Sequence, residues 1–186
     1  MLGADYQIIE VGFDVPLPGA TDQPWHRDFP SPPETRGDRR LTSLAFNVTA
    51  VDVTPEMAPF EIAPGTHWDD GDDFDHGMFA PPEAAARYGQ LGERRHPRRG
   101  DMSVRTGLTL HRGTANHSAH ARAVLIIGVV TTELADSADT DVHRITVTRD
   151  YHARLPGAVR RRLRCTVVDE LRPIVQQHDI EGLVMG

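Results

Sequence analysis

Short β-forming runs, each closed off by glycine, proline or a polar turn, recur along this chain and limit its fold more than any other feature. Tyr6 to Phe13, Leu41 to Val53, Pro59 to Ala63, Arg122 to Thr132 and Arg144 to Thr148 read as strands, being rich in β-branched and aromatic residues or alternating in polarity. Asp101 to Leu110 gives one or two more, ending at His111. Between them lie the connections Pro16 to Pro24 and Pro30 to Arg40, the turn Pro64-Gly65-Thr66-His67, the acidic loop Asp69 to Asp75, the basic loop Glu93 to Arg99 and the turn Arg112 to His120. Helix is expected at Pro82 to Gln90 and at Pro156 to Arg172, the second opened by a proline near its first turn. Strands this short and numerous pack as a sandwich or barrel. The expected fold is mainly β, a double-stranded β-helix of the jelly-roll, cupin-like kind with a few flanking helices. Its barrel core would span about residues 5–150, with a C-terminal helical segment at 155–175.

The 186 residues suit a single domain with a sizeable core. The longest apolar stretch, Ala121 to Val130, is interrupted by Arg122 and is too short to span a bilayer. No charged start followed by an apolar run opens the chain, so no secretory signal is read. Cys165 is the only cysteine, which excludes an internal disulfide and fits a reducing, cytoplasmic setting. A net charge of −7 argues against nucleic acid as the main partner. All 20 basic residues are arginine, so no Schiff-base lysine is available.

The chemistry concentrates at His26-Arg27-Asp28. In an extended segment side chains alternate, so His26 and Asp28 point to one face. With His111, at the end of an expected strand, they make two imidazoles and one carboxylate. This donor set suits Fe(II) with open positions for a cosubstrate and O2. Structural zinc favours thiolates and closed sites, and calcium and magnesium prefer oxygen; zinc holding a water stays open as the competing metal. Arg122 begins an otherwise apolar strand, where a buried guanidinium needs an anionic partner. If the strands flanking Arg112 to Ala121 are antiparallel neighbours, Arg122 lies near His111 and can hold the far carboxylate of a dicarboxylate bound to the metal.

Each of these residues has a plainer reading. With ten histidines in the chain, His26 and Asp28 could be a hydrogen-bonded loop pair. His117 and His120 are alternative ligands whose polar turn suits them better to solvent, and His67 reads as a turn residue. The acidic loop Asp69 to Asp75 lacks the EF-hand spacing and terminal Glu, and reads as solvated or mobile. The arginine runs Arg94 to Arg99 and Arg160 to Arg162 read as solvated faces.

From Gln23 to Val130 the chain resembles the phytanoyl-CoA dioxygenase family of Fe(II)/2-oxoglutarate-dependent oxygenases. The matching elements are Trp25-His26-Arg27-Asp28, the strand Leu41 to Val53, Pro64-Gly65-Thr66-His67, Gly100-Asp101, and His111-Arg112-Gly113 continuing through Asn116 and Ser118 to Arg122. The resemblance implies that His26, Asp28 and His111 bind iron, that Arg122 holds the distal carboxylate of 2-oxoglutarate, that Asn47 makes a further cosubstrate contact, and that Asn116 orients the turn beside His111. It implies a hydroxylase acting on a small organic molecule, with succinate and CO2 as co-products. Asp28 supports hydroxylation, since related halogenases carry a small residue there. The family's usual helical region before the barrel is largely absent, and Met57-Ala58 stands where many members have Asn-Gly. Competing readings are a catalytically impaired metal- or ligand-binding module, a metal-dependent cupin-like hydrolase or isomerase, and a nucleic-acid demethylase. That last branch tends to carry a second Arg where this chain has Gly128. No membrane partner is expected. Apolar surface around Tyr6 to Phe13 should be exposed or covered by a second subunit, giving either a homodimer or a weakly stable protein that turns over 2-oxoglutarate slowly and uncoupled from substrate.

Overall fold

The computed structural model describes residues 2–3, 5–28, 33–136 and 145–172. Four strands, β1 (Tyr6–Asp14), β2 (Ser43–Thr49), β5 (Met102–Arg105) and β7 (Val124–Thr131), form one antiparallel sheet in the order β1-β7-β2-β5. Three more, β3 (Phe60–Ile62), β4 (Glu93–Arg95) and β6 (His111–Gly113), form a second sheet in the order β4-β3-β6. A pair of bridges, His26 to His111 and His26 to Phe79, extends it past β6. Arg105 of the first sheet lies over the Phe60 ring of the second, its guanidinium carbon 4.8 Å from the centroid. The architecture is thus mainly β with few helices, two facing sheets that do not close, as the strand pattern implies.

The helices are α1 (Pro33–Gly37), α2 (Pro82–Leu91), α3 (Thr132–Asp136), α4 (Arg149–Arg154) and α5 (Gly157–Arg160), with a 3-10 turn at Thr66–Trp68. Proline in the first turn starts α2, where a missing N–H costs nothing. Its Tyr88 joins Trp25, Ala63, Phe74 and Leu110 in a buried cluster behind the second sheet. Full burial of Leu110 alone contributes about 1.5–3 kcal/mol. This cluster fixes Trp25, and so the backbone that carries His26.

Several expectations are corrected. The helix expected over Pro156 to Arg172 is only α5; the chain then turns, and Cys165–Val168 forms β9, parallel to β8 (Ile145–Thr148). The run Cys-Thr-Val-Val is β-branched and finds an edge to pair with, which outweighs the helical reading; residues 173–175 of the expected segment lie outside the described residues. The basic loop contains strand β4, because Glu93 to Arg95 pairs with β3. His111 opens β6 instead of ending β5, and Thr106 to Leu110 is a turn. Strands β6 and β7 are not neighbours: they lie in different sheets. The loop at Pro30 to Arg40 includes α1.

Candidate metal centre

His26 and Asp28 alternate with Arg27 as extended backbone requires. His26 pairs with His111 through both backbone bonds, each N–H donating to the other's carbonyl at 3.0 Å. Asp28 N–H donates to Gly107 O at 3.0 Å. Arg27 points the other way and is almost fully buried. Its Nε donates to Leu108 O at 3.0 Å, Nη2 donates to Asp69 O, and the guanidinium lies over the Phe74 ring. A side chain at Gly71 would collide with it. Arg27 therefore ties the ligand segment to the turn before β6 and to the acidic loop. That loop is more than a solvated run: Asp69 accepts from Arg27 and Arg87, and Phe74 is in the core.

Donor atoms of His26, Asp28 and His111 all lie within 4.8 Å of one another, the one such cluster among the described residues. His26 Nδ1 donates to Pro24 O and His111 Nδ1 to Thr109 O, both at 2.8 Å. Because a carbonyl can only accept, both Nδ1 atoms carry protons, and the Nε2 atoms are the ones turned to a metal. Burial, then the neighbouring His111, lowers the His26 pKa to about 4, so its ring is neutral at pH 7. Burial pushes the Asp28 carboxyl up, but Arg105 and then the two histidines outweigh it and hold it well below the usual range. Asp28 Oδ2 is buried without a hydrogen-bond partner. Two imidazoles and a carboxylate with one unpartnered oxygen fit a divalent ion. His117 and His120, the alternative ligands, are exposed, and His67 stacks on Trp68.

Arg105, which sequence reasoning passed over, stands against this group. Its Nη2 is 2.9 Å from Asp28 Oδ1 and 3.0 Å from His111 Nε2, and Nη1 donates to Asn47 Oδ1 at 3.2 Å. The signal was present: in Met-Ser-Val-Arg apolar and polar residues alternate, which puts Ser103 and Arg105 on one side of β5, opposite Asn47 and Ala45 of β2.

A cavity of about 530 Å³ lies between the sheets. Asn47, Ser103 and Arg105 line it from the first sheet, Phe60 and Ile62 from the second, and Arg122 joins them. Arg122 is buried, and burial lowers its pKa while Asp14 pulls it back. Its Nη2 donates to Asp14 Oδ2 at 3.0 Å, and Nε has no partner. The anionic partner that burial demanded includes Asp14, from the far end of β1. Arg122 does not begin the strand, as expected, but lies two residues before β7, and it reaches the cavity from there and not by pairing beside His111. Asn116 is buried and donates to Pro16 O and His120 O, both at 2.9 Å, so it holds the turn before Arg122.

Residues 5–124 match the sequence profile of the phytanoyl-CoA dioxygenase family. The chain belongs to that family. No curated protein matches it at the sequence level. Among solved structures this family member resembles EctD from S. alaskensis with 2-oxoglutarate and 5-hydroxyectoine, at a TM-score of 0.55 and 19% identity over 72% of this chain and 47% of that one. It also resembles the epimerase SnoN in complex with Fe3+, alpha ketoglutarate and nogalamycin RO, at 0.55 and 20% identity over 70% and 52%. EvdMO1 matches at 0.55 and 19% identity, over 70% of this chain and 28% of that one. The chain thus spans between about a quarter and a half of the length of these structures. No helix among the described residues is long and apolar enough to cross a membrane.

Proposed function

We propose that the chain is an Fe(II)- and 2-oxoglutarate-dependent dioxygenase that hydroxylates a small organic molecule in the cytoplasm. The observation that carries this reading is the convergence of His26, Asp28 and His111 within 4.8 Å, close by a cavity that holds Arg122 and Asn47. Family membership and the ligands named for EctD and SnoN support it. When bound, iron and a 2-oxo acid supply O2 activation, with succinate and CO2 as co-products. The chain's own part is to bind and orient. His26 Nε2, Asp28 and His111 Nε2 offer one face of ligands. The backbone carbonyls of Pro24 and Thr109 fix both ring tautomers. Arg122 supplies a guanidinium for the distal carboxylate, and Asn47 an amide to the same cavity. Phe60, Ile62 and Val124 line it with apolar surface that excludes water.

Anaerobic addition of Fe(II) and 2-oxoglutarate should give the weak visible band of a chelated 2-oxo acid. Succinate release should follow on admitting O2. His26→Ala, Asp28→Ala and His111→Ala should each abolish the band. A His111→Ala protein with full iron affinity would remove the third ligand from the reading. A second reading, a ligand-binding module without turnover, is favoured by the engagement of Asp28 and His111 by Arg105. Metal binding without succinate release under any substrate would select it.

A further inference from the structure

Resting on the iron and 2-oxo acid reading, we propose that Arg105 is an internal counter-ion of the metal ligands, and that it makes divalent-metal binding depend on the dicarboxylate cosubstrate. Arg105 Nη2 stands 2.9 Å from Asp28 Oδ1 and 3.0 Å from His111 Nε2, touching two of the three groups a metal needs. Asp28 Oδ1 and His111 Nε2 are only 3.1 Å apart. A cation lying against both atoms offsets the negative charge of the carboxylate. Arg105 supplies that cation. Its side chain is 9% exposed, and a guanidinium does not deprotonate in a protein. The second charge in the cluster is therefore permanent.

A divalent ion entering between Asp28, His26 and His111 would meet this guanidinium at close range. Asp28 Oδ2 is open to the ion, but His111 Nε2 is taken by Arg105 Nη2 and the two cations repel, so Arg105 has to move off the pair. A buried arginine without an anion is costly, so metal alone binds weakly. Arg105 is already placed to find its next partner. It lines the cavity that Arg122 also lines. Asn47 holds its Nη1 there, and its buried Nε has no hydrogen-bond partner. A dicarboxylate held by the metal and Arg122 would bring a carboxylate into the cavity that Arg105 lines. The freed guanidinium can then bind it through charge-assisted hydrogen bonds. Metal and dicarboxylate thus favour one another, and the coupling is reciprocal. Arg105 is a positioning residue: it sets the order of assembly.

The test is isothermal titration of the full chain with Co2+, with and without 2-oxoglutarate, for wild type, Arg105→Met and Arg105→Gln. Circular dichroism would verify folding, and the Gln variant keeps an amide donor near Asp28 as insurance against collapse of the site. Wild type should bind Co2+ weakly alone and at least about tenfold more tightly with 2-oxoglutarate, within the usual range of coupling. Both variants should bind Co2+ alone about tenfold more tightly than wild type and lose most of the gain from 2-oxoglutarate. Loss of a merely structural contact would weaken metal binding, the opposite direction. Variants that bind Co2+ alone no more tightly than wild type, or that keep the full gain, would overturn the role of Arg105 and leave the metal reading standing. Failure of wild type to bind Co2+, or binding unchanged by His26→Ala, would overturn both.

Discussion

The two faces of the four-stranded sheet differ in character: one is mixed and carries the charged and polar side chains, the other is apolar. Facing the second sheet are Ser43, Ala45, Asn47 and Thr49 of β2 and Ser103 and Arg105 of β5, with Val124, Ile126, Gly128 and Val130 of β7 in register. Facing away are two apolar rows that cross all four strands. One is Val11, Ile127, Phe46 and Val104; the other is Phe13, Leu125, Val48 and Met102. Ordinary sheets bury the apolar face and wet the polar one. Here the face with the polar and charged side chains lines the cavity, while Phe13 is 68% and Met102 62% exposed on the other. The inward polarity is what a charged ligand needs from a wall, and it leaves the apolar face to be covered by something else.

The largest expected effect breaks the inner face. Arg122→Ala should weaken 2-oxoglutarate binding by about 2–5 kcal/mol, the usual result of deleting one member of a buried charge pair. Metal affinity should hardly move, because Arg122 contacts Asp14 and none of the three ligands. An unchanged cosubstrate titration would remove Arg122 from the site.

Next comes acid stability of the metal-free chain. The pKa of His26 falls from 6.5 to about 4 on folding. Between those values the unfolded chain binds a proton that the folded chain refuses. Stability is therefore complete above pH 6.5 and lost as the pH drops toward 4, by about 3 kcal/mol. The depressed Asp28 adds a further loss below its unfolded value of 3.8. Urea unfolding across this window should show the slope in wild type and a flatter one in His26→Gln. Equal slopes would mean that burial of the ring is not felt.

Asn47→Ala probes the same wall more gently. It removes the amide that holds Arg105 and should reduce cosubstrate affinity by about 1 kcal/mol, the worth of one hydrogen bond. No change in a binding titration would confine Asn47 to the sheet.

The smallest effect on folding belongs to the outer face. Phe13→Glu with Met102→Glu replaces two exposed side chains and should cost the folded chain no more than about 0.5 kcal/mol each. The change in assembly should be plain. The two rows carry no charge to select an unlike partner, and a second copy presents the same apolar surface in two-fold symmetry. Light scattering should give twice the 20.6 kDa chain mass for wild type and a single chain for the double variant. Wild type running as a single chain at high concentration would end the homodimer expectation.

Legibility in the sequence followed the range of the interactions. The period-two spacing put His26 and Asp28 on one side of Arg27 before any fold was known, and Gly/Pro punctuation implied most of the strands. Cys165 to Val168 was misread because a helix and an edge strand compete there, and only the presence of β8 decides between them. The neighbours of β6 were misread for the same reason, since a short connection can join strands of one sheet or step between two.

Residue types and local alternation alone determined that this chain would be mainly β, that it would carry two histidines and a carboxylate suited to a metal, and that a buried arginine beside its most apolar strand would need an anion. Those properties depend on neighbours a few positions away. Which charges meet was decided by the tertiary structure. Arg105 reaches Asp28 across 77 positions, and Arg122 reaches Asp14 across 108. A buried guanidinium states in the sequence that it needs an anion. Only the packing of two sheets says which anion is within 3 Å, because that distance depends on every strand between them.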